Sequence, residues 1–205
     1  MGKPKGGDGY EKWVRIANKN NGYLGLTNWE SAEDKAIVEL GIVQDWRKSM
    51  FEQMGLEIGT PQSSPTDPPD CFVQFGGRRL GVELMLMVER AHLVRAAQGE
   101  SPHAGRLFND MQWTSDRFLA KLNECLDAKH QKYSSRGVQI DVLVIFSPEK
   151  WLVPCDVRRW LKDTLIECRG SISSSFLLLD YEPEVDGLGR YPLYSLYDSI
   201  FDPSD

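Results

Sequence analysis

Apolar positions recur at helical spacing in two long segments of the chain. The first segment begins at a helix-capping residue, Ser31, and runs to Met54, where Gly55 ends it. The second runs from Ser115 to Tyr133 and carries apolar side chains on one face, namely Phe118, Leu122, Leu126 and Tyr133. The sequence therefore predicts two long amphipathic helices.

Shorter apolar runs, rich in β-branched and aromatic residues, predict β-strands. Residues 70–75 and 79–88 flank Gly76-Gly77 and predict a β-hairpin, which follows a surface loop at 60–69. Further along, the pattern predicts a loop, a buried strand, a helix, a second buried strand and an edge strand, at residues 96–114, 139–146, 155–168, 175–181 and 191–197. We therefore expect an α/β fold with a mixed central sheet flanked by helices.

Composition predicts one soluble domain. The chain has 205 residues, of which 41% are apolar, enough to bury one sizeable core. Residues 1–29 are rich in Gly, Lys and Asn and predict a partly flexible N-terminal arm, and residues 30–205 predict a single domain. The four cysteines form no CxxC pair, and no apolar run approaches the ~20 residues of a membrane span. We expect a cytoplasmic protein with no membrane contact.

The net charge of the chain and the motifs that it lacks argue against several classes of protein. A formal net charge of -6 argues against a broadly basic nucleic-acid binder but leaves room for a local basic groove. The three histidines lack zinc-ligand spacing, and the sequence contains no GxSxG, Walker A or GxGxxG motif. Zinc enzymes, serine hydrolases and P-loop or dinucleotide-binding proteins are therefore disfavoured.

Three acidic residues fall in segments that otherwise predict burial. Glu83 lies on the second hairpin strand, Asp70 opens the first and can lie beside it, and Glu39 falls in the apolar stripe of the first helix. Buried carboxylates need a counter-charge, so we predict a shared Mg²⁺ or Mn²⁺ held by Glu39, Asp70 and Glu83. Singly, Asp70 can be a turn residue, Glu83 an ion-pair partner and Glu39 a side chain that reaches solvent.

The acids and the order of elements resemble the PD-(D/E)xK nuclease superfamily, which has the restriction-endonuclease-like fold. Pro69-Asp70 matches the PD that opens a strand, Gly81-Val82-Glu83 matches the approach to the second acid, and Glu39 corresponds to an acid on the N-terminal helix. The resemblance covers roughly residues 30 to 182. It implies a three-layer core around the mixed sheet and metal-dependent hydrolysis of DNA phosphodiester bonds.

The chain departs from the family pattern at Met85, two positions after Glu83, where the family has lysine. Members of the superfamily can carry this lysine on a neighbouring helix. The resemblance then implies that Lys129, on the apolar arc of the second helix, acts with Asp70 and Glu83 as the catalytic group. The other open interpretation of Lys129 is a stem packed on the core with its ammonium in solvent.

The same resemblance suggests partners. Arg78, Arg79 and Lys132 are candidate nucleic-acid contacts, although scattered surface charges most often serve solubility. DNA is the implied substrate, and a homodimer is a candidate assembly because many nucleases of this fold dimerise to cut both strands. The alternative, which Met85 favours, is a catalytically inactive protein of the same fold that binds nucleic acid or protein.

Overall fold

A computed structural model of the protein describes residues 31–98, 107, 111–182 and 190–201. The predicted N-terminal arm, residues 1–29, lies outside the described residues. The elements follow along the chain as α1 (Ala32–Met54), β1 (Gln62–Ser63), β2 (Cys71–Phe75), β3 (Arg78–Leu86), α2 (Arg90–Ala97), α3 (Ser115–Ser134), β4 (Ile140–Ser147), α4 (Pro154–Lys162), β5 (Ile172–Leu179) and β6 (Leu193–Tyr197).

Helix α1 begins and ends where its sequence signals predict. Ser31 Oγ accepts a hydrogen bond from the backbone N–H of Asp34 at 3.1 Å, which satisfies one of the free donors of the first turn. Gly55 has a left-handed φ of 70°, and its N–H donates to the carbonyl of Phe51 at 3.0 Å. The prediction of a helix from residue 31 to 54 is confirmed.

The six strands form one mixed sheet in the order β1-β2-β3-β4-β5-β6. Strand β2 pairs antiparallel with both β1 and β3, the central pairs β3–β4 and β4–β5 are parallel, and β6 closes the sheet antiparallel to β5. Gly76 and Gly77 have φ values of 54° and 77°, which a tight hairpin turn between β2 and β3 requires. The predicted mixed sheet is confirmed.

Two apolar clusters cover the two faces of this sheet. The α1-side cluster joins Val43, Trp46 and Met50 of α1 to strand residues such as Leu80, Val82, Val142 and Val144. The α3-side cluster joins α3 and Val157 of α4 to strand residues such as Leu143 and Ile145 and to Met87, which follows β3. Because side chains alternate along a strand, Glu83 shares the α3-side face with Met85 and Met87.

Three features differ from the sequence prediction. Helix α2 was not predicted, because its eight residues make only about two turns, too few for a helical period to be recognised in the sequence. Helix α4 ends at Lys162 instead of reaching residue 168, and the Thr164 hydroxyl donates to the Trp160 carbonyl at 2.7 Å, a local bond that competes with helix continuation. The predicted surface loop at 60–69 contains the two-residue strand β1.

The core packing predicts a contrast between two leucines. Leu122 is a residue of α3 and is fully buried, whereas Leu165 is 91% exposed. We expect Leu122→Ala to lower the free energy of unfolding by about 2–5 kcal/mol, because it leaves a cavity, and Leu165→Ala to change it by less than about 0.5 kcal/mol. Urea denaturation followed by circular dichroism measures both, and similar losses in the two variants would contradict the packing.

Candidate metal centre

The hairpin places Asp70 beside Glu83. Cys71 pairs with Val82 at the end of the β2–β3 ladder, so Asp70 lies opposite Glu83 one step further on. Oδ2 of Asp70 accepts a hydrogen bond from the backbone N–H of Leu84 at 2.9 Å, which holds the carboxylate against β3. The structure therefore brings together two of the three predicted acids.

A third acid, Asp67, joins them. Asp67, Asp70 and Glu83 each offer a carboxylate oxygen, and these three oxygens lie within 4.8 Å of one another. Asp67 is exposed, whereas the side chain of Asp70 is only 8% exposed. Asp67 was not among the predicted acids, because its segment carries only turn signals.

The Glu83 carboxylate is buried and is held from α3. Its Oε1 accepts hydrogen bonds from Lys129 Nζ at 2.5 Å and from the Tyr133 hydroxyl. Lys129 and Tyr133 are four positions apart and so share one face of the helix. Within the described part of the chain, Oε2 of Glu83 is buried and has no hydrogen-bond partner. One oxygen is therefore fixed by the protein and the other is left to accept a ligand.

Tyr133 links a second lysine to this network. Burial raises the pKa of Tyr133, and the carboxylate of Glu83 that it contacts raises it further, so the hydroxyl stays a donor. Lys132 Nζ donates to the Tyr133 hydroxyl at 2.9 Å. Lys132, predicted as a nucleic-acid contact, thus directs its ammonium toward the Glu83 network. Tyr133 was predicted only as part of the apolar face of its helix.

The structure places Lys129 on the acid and Met85 in the core. The Lys129 side chain is 13% exposed, and its ammonium contacts Glu83, so it does not extend into solvent. Met85 packs against the α3-side cluster. Glu83 is therefore contacted by a cation from α3, and the catalytic role of Lys129 stays a prediction.

Glu39 lies at the edge of this group. Lys35 Nζ is 2.9 Å from Glu39 Oε1 and 3.6 Å from Asp70 Oδ1, so one lysine serves both acids. Burial, together with the nearby charge of Asp70 and against the opposing pull of Lys35, raises the pKa of Glu39 to about 7. Glu39 is not one of the three acids whose oxygens converge. Its predicted role as a direct metal ligand stays a prediction.

The local field at this end of the sheet is negative. Burial, followed by the charges of Asp70, Glu39 and Glu83, raises the pKa of the Cys71 thiol to about 12. The converging oxygens and the free buried oxygen of Glu83 make a donor set that suits a hard divalent cation such as Mg²⁺. The residues present therefore fit the predicted ion.

Arg78 and Arg79, the two arginines predicted to contact nucleic acid, lie at the hairpin and differ in environment. Both are exposed. Their neighbours on β3 show that Arg79 shares the α3-side face with Gly81 and Glu83, whereas Arg78 lies on the opposite face. The Cζ atom of Arg79 lies over the ring of Phe72, 3.6 Å from its centroid.

No protein-family model, curated protein or solved structure matches this chain. Among the helices that the structure describes, none is long and apolar enough to cross a membrane. The geometry of the three acids and of their lysines is therefore the observation that bears on function.

The buried pair predicts the effect of removing Lys129. Lys129→Met leaves the ionised Glu83 without its cation, and we expect a loss of about 3 kcal/mol in the free energy of unfolding at pH 8. Adding Glu83→Gln should recover most of this loss, because it removes the buried charge. Lys121→Met is the matched control on α3, because Lys121 pairs with an exposed acid, Glu124, and should cost less than about 1 kcal/mol. Equal losses in the two lysine variants, measured by urea denaturation, would contradict the buried ion pair.

The raised pKa of Glu39 predicts a pH-dependent stability. Between its ordinary pKa of 4.5 and the folded value of about 7, the folded protein holds a proton that the unfolded chain has released, so this group destabilises the fold as pH rises. We expect the free energy of unfolding of Glu39→Gln, taken relative to that of the wild type, to rise by about 1–2 kcal/mol from pH 5 to pH 8, after allowance for screening at a half-buried site. Urea denaturation in EDTA at the two pH values measures the gain, and a difference that does not change with pH rules it out.

Proposed function

We propose that this protein is a divalent-metal-dependent endonuclease that hydrolyses DNA phosphodiester bonds. The observation that carries the proposal is the buried Glu83 carboxylate, which meets Asp67 and Asp70 from the loop before β2 and Lys129 from α3. Two or three carboxylates beside a lysine suit phosphodiester hydrolysis, because the acids hold the ion and the lysine balances charge on the phosphate. Mg²⁺ or Mn²⁺ is the proposed ion.

Each side chain has a distinct part in this proposal. Asp70, fixed by the N–H of Leu84, and Glu83, fixed by Lys129 and Tyr133, would hold the ion with rigid oxygens, and the more exposed Asp67 would complete the set. When bound, the ion supplies Lewis acidity toward the phosphate and a water of lowered pKa. Lys129 would orient the attacking water and steady the negative charge that develops on the phosphate.

The restriction-endonuclease-like core belongs to the same proposal. Two features support it: α1, the β2–β3 hairpin, α3, β4, α4 and β5 follow one another in this order, with α2 inserted after the hairpin, and both acids lie at that hairpin. The α1-side and α3-side clusters give the three layers that such a core requires. Fold alone does not imply activity, so the weight of the proposal rests on the acids and Lys129.

A second candidate is a catalytically inactive protein of the same fold that binds nucleic acid or protein. The observation in its favour is that Oε1 of Glu83 already accepts from both Lys129 and Tyr133. A lysine held in this ion pair neutralises the acid and is less free to serve a substrate. Binding to DNA without cleavage would distinguish this candidate from the endonuclease.

Cleavage assays test the endonuclease directly. We expect the wild type to cut plasmid and oligonucleotide DNA in Mg²⁺ or Mn²⁺ and to be inactive in EDTA. Asp70→Asn, Glu83→Gln and Lys129→Met should each lower the rate at least about 100-fold, because each removes a charge that the transition state needs.

Lys121→Met is the control for these variants and should cleave like the wild type. Circular dichroism at the assay temperature confirms that every variant is folded, which matters most for Lys129→Met. No metal-dependent cleavage by the wild type, or unchanged cleavage by Glu83→Gln, would exclude the endonuclease.

A further inference from the structure

A cleft of about 250 Å³ opens beside the three acids. Pro68 and Pro69, the two residues between Asp67 and Asp70, form part of its wall. Other side chains that line it come from β2, β3 and the start of β4 and include Phe72, Arg79, Gln139 and Asp141. The residues of the cleft wall and those of the candidate metal centre are therefore neighbours in the sequence.

Register places the cleft on the same face of the sheet as the acids. Phe72 pairs with Gly81, two positions along each strand from Asp70 and Glu83. Side chains two apart on a strand share a face, so Phe72 and Gly81 lie on the α3-side face. A Cβ atom at Gly81 would lie 3.0 Å from Pro69 Cγ, so a side chain here would push against Pro69. The missing side chain lets Pro69 lie against β3 and shapes the cleft.

Arg79 gives the cleft a planar cation in a fixed place. Its guanidinium lies over the Phe72 ring at 3.6 Å, and the side chain remains exposed. Unstacked nucleobases bind by stacking on aromatic rings or on arginine guanidinium planes. The Arg79–Phe72 pair therefore offers a platform for one base, close to where a phosphate would meet the three acids.

Asp141 gives the cleft an acceptor for the edge of a base. Its Oδ2 accepts from the Gly81 N–H at 2.8 Å, which fixes the carboxylate, while Oδ1 accepts no hydrogen bond from the described residues. A carboxylate selects base edges that carry an amino group, such as N4 of cytosine, over the carbonyl edge of thymine. The cleft, of about 250 Å³, is large enough to hold a base.

We propose that this cleft binds a single unstacked nucleobase that carries an exocyclic amino group. The inference rests on the proposed nucleic-acid substrate and adds its form: single-stranded or locally unpaired DNA. A base within a duplex is stacked on its neighbours and has its amino edge paired. It therefore cannot also stack on Arg79 and donate a hydrogen bond to Asp141.

Fluorescence anisotropy with labelled oligo(dC) and oligo(dT) of equal length tests the proposal. Binding is measured in Ca²⁺, and a gel checks that the oligonucleotides remain intact. We expect the wild type to bind oligo(dC) about fivefold or more tightly than oligo(dT). It should also bind oligo(dC) more tightly than the same oligonucleotide annealed to its complement.

Three variants test the separate roles of Arg79 and Asp141 in binding. Arg79→Ala should weaken oligo(dC) binding at least about fivefold more than Arg78→Ala, which removes the same charge from the opposite face of β3 and so reports only the loss of charge. Asp141→Asn keeps an acceptor for the Gly81 N–H but replaces the free oxygen by an amide donor. It should abolish the preference for oligo(dC) over oligo(dT).

The outcomes separate this inference from the proposed function. Equal binding of oligo(dC) and oligo(dT) by the wild type, or equal losses in the two arginine variants, overturns the cleft proposal even if Mg²⁺-dependent cleavage is found. Base-selective binding that depends on Arg79 and Asp141, without cleavage in Mg²⁺, supports the cleft and excludes the endonuclease.

Discussion

The burial of the Glu83 carboxylate is the constraint on which this end of the sheet depends. Glu83 is 1% exposed and lies on β3, an interior strand between β2 and β4. A charge in such a place is unfavourable unless donors reach it. Lys129 and Tyr133 supply them from α3, which requires this helix to cross the face of the sheet with that pair above β3. The apolar residues of α3 that pack on the same face hold the helix in this position, namely Phe118, Leu122, Cys125 and Leu126.

Much of the fold follows from local signals. The cap at Ser31, the left-handed Gly55 and the Gly76-Gly77 turn each act over a few residues, so the sequence predicts α1 and the hairpin with nearly the observed bounds. Helix α2 and the end of α4 are less clearly marked in the sequence, because no capping residue precedes α2 and no glycine follows Lys162 directly. Their apolar patterns are too short or too long for the observed elements, and the sequence alone contains no measure of tertiary contacts.

The candidate metal centre also combines residues that could be predicted from the sequence with residues that could not. Hairpin register follows from the turn, so the convergence of Asp70 and Glu83 could be predicted, and helical spacing pointed Lys129 inward. Asp67 could not be predicted, because its position depends on the path of an irregular loop. Tyr133 has the periodicity of a core residue, and periodicity cannot show that the hydroxyl of a buried tyrosine meets a carboxylate.

Internal cations also explain how so many acids coexist at one end of the sheet. Lys129 contacts Glu83, and Lys35 lies between Glu39 and Asp70, so two lysines partly neutralise three of the four acids in the protein itself. Burial, together with the charge of Asp70, raises the pKa of Glu39 to about 7, which means that a proton serves as a further counter-charge below neutral pH. A divalent ion bound by Asp70 would favour ionised Glu39 and so release that proton.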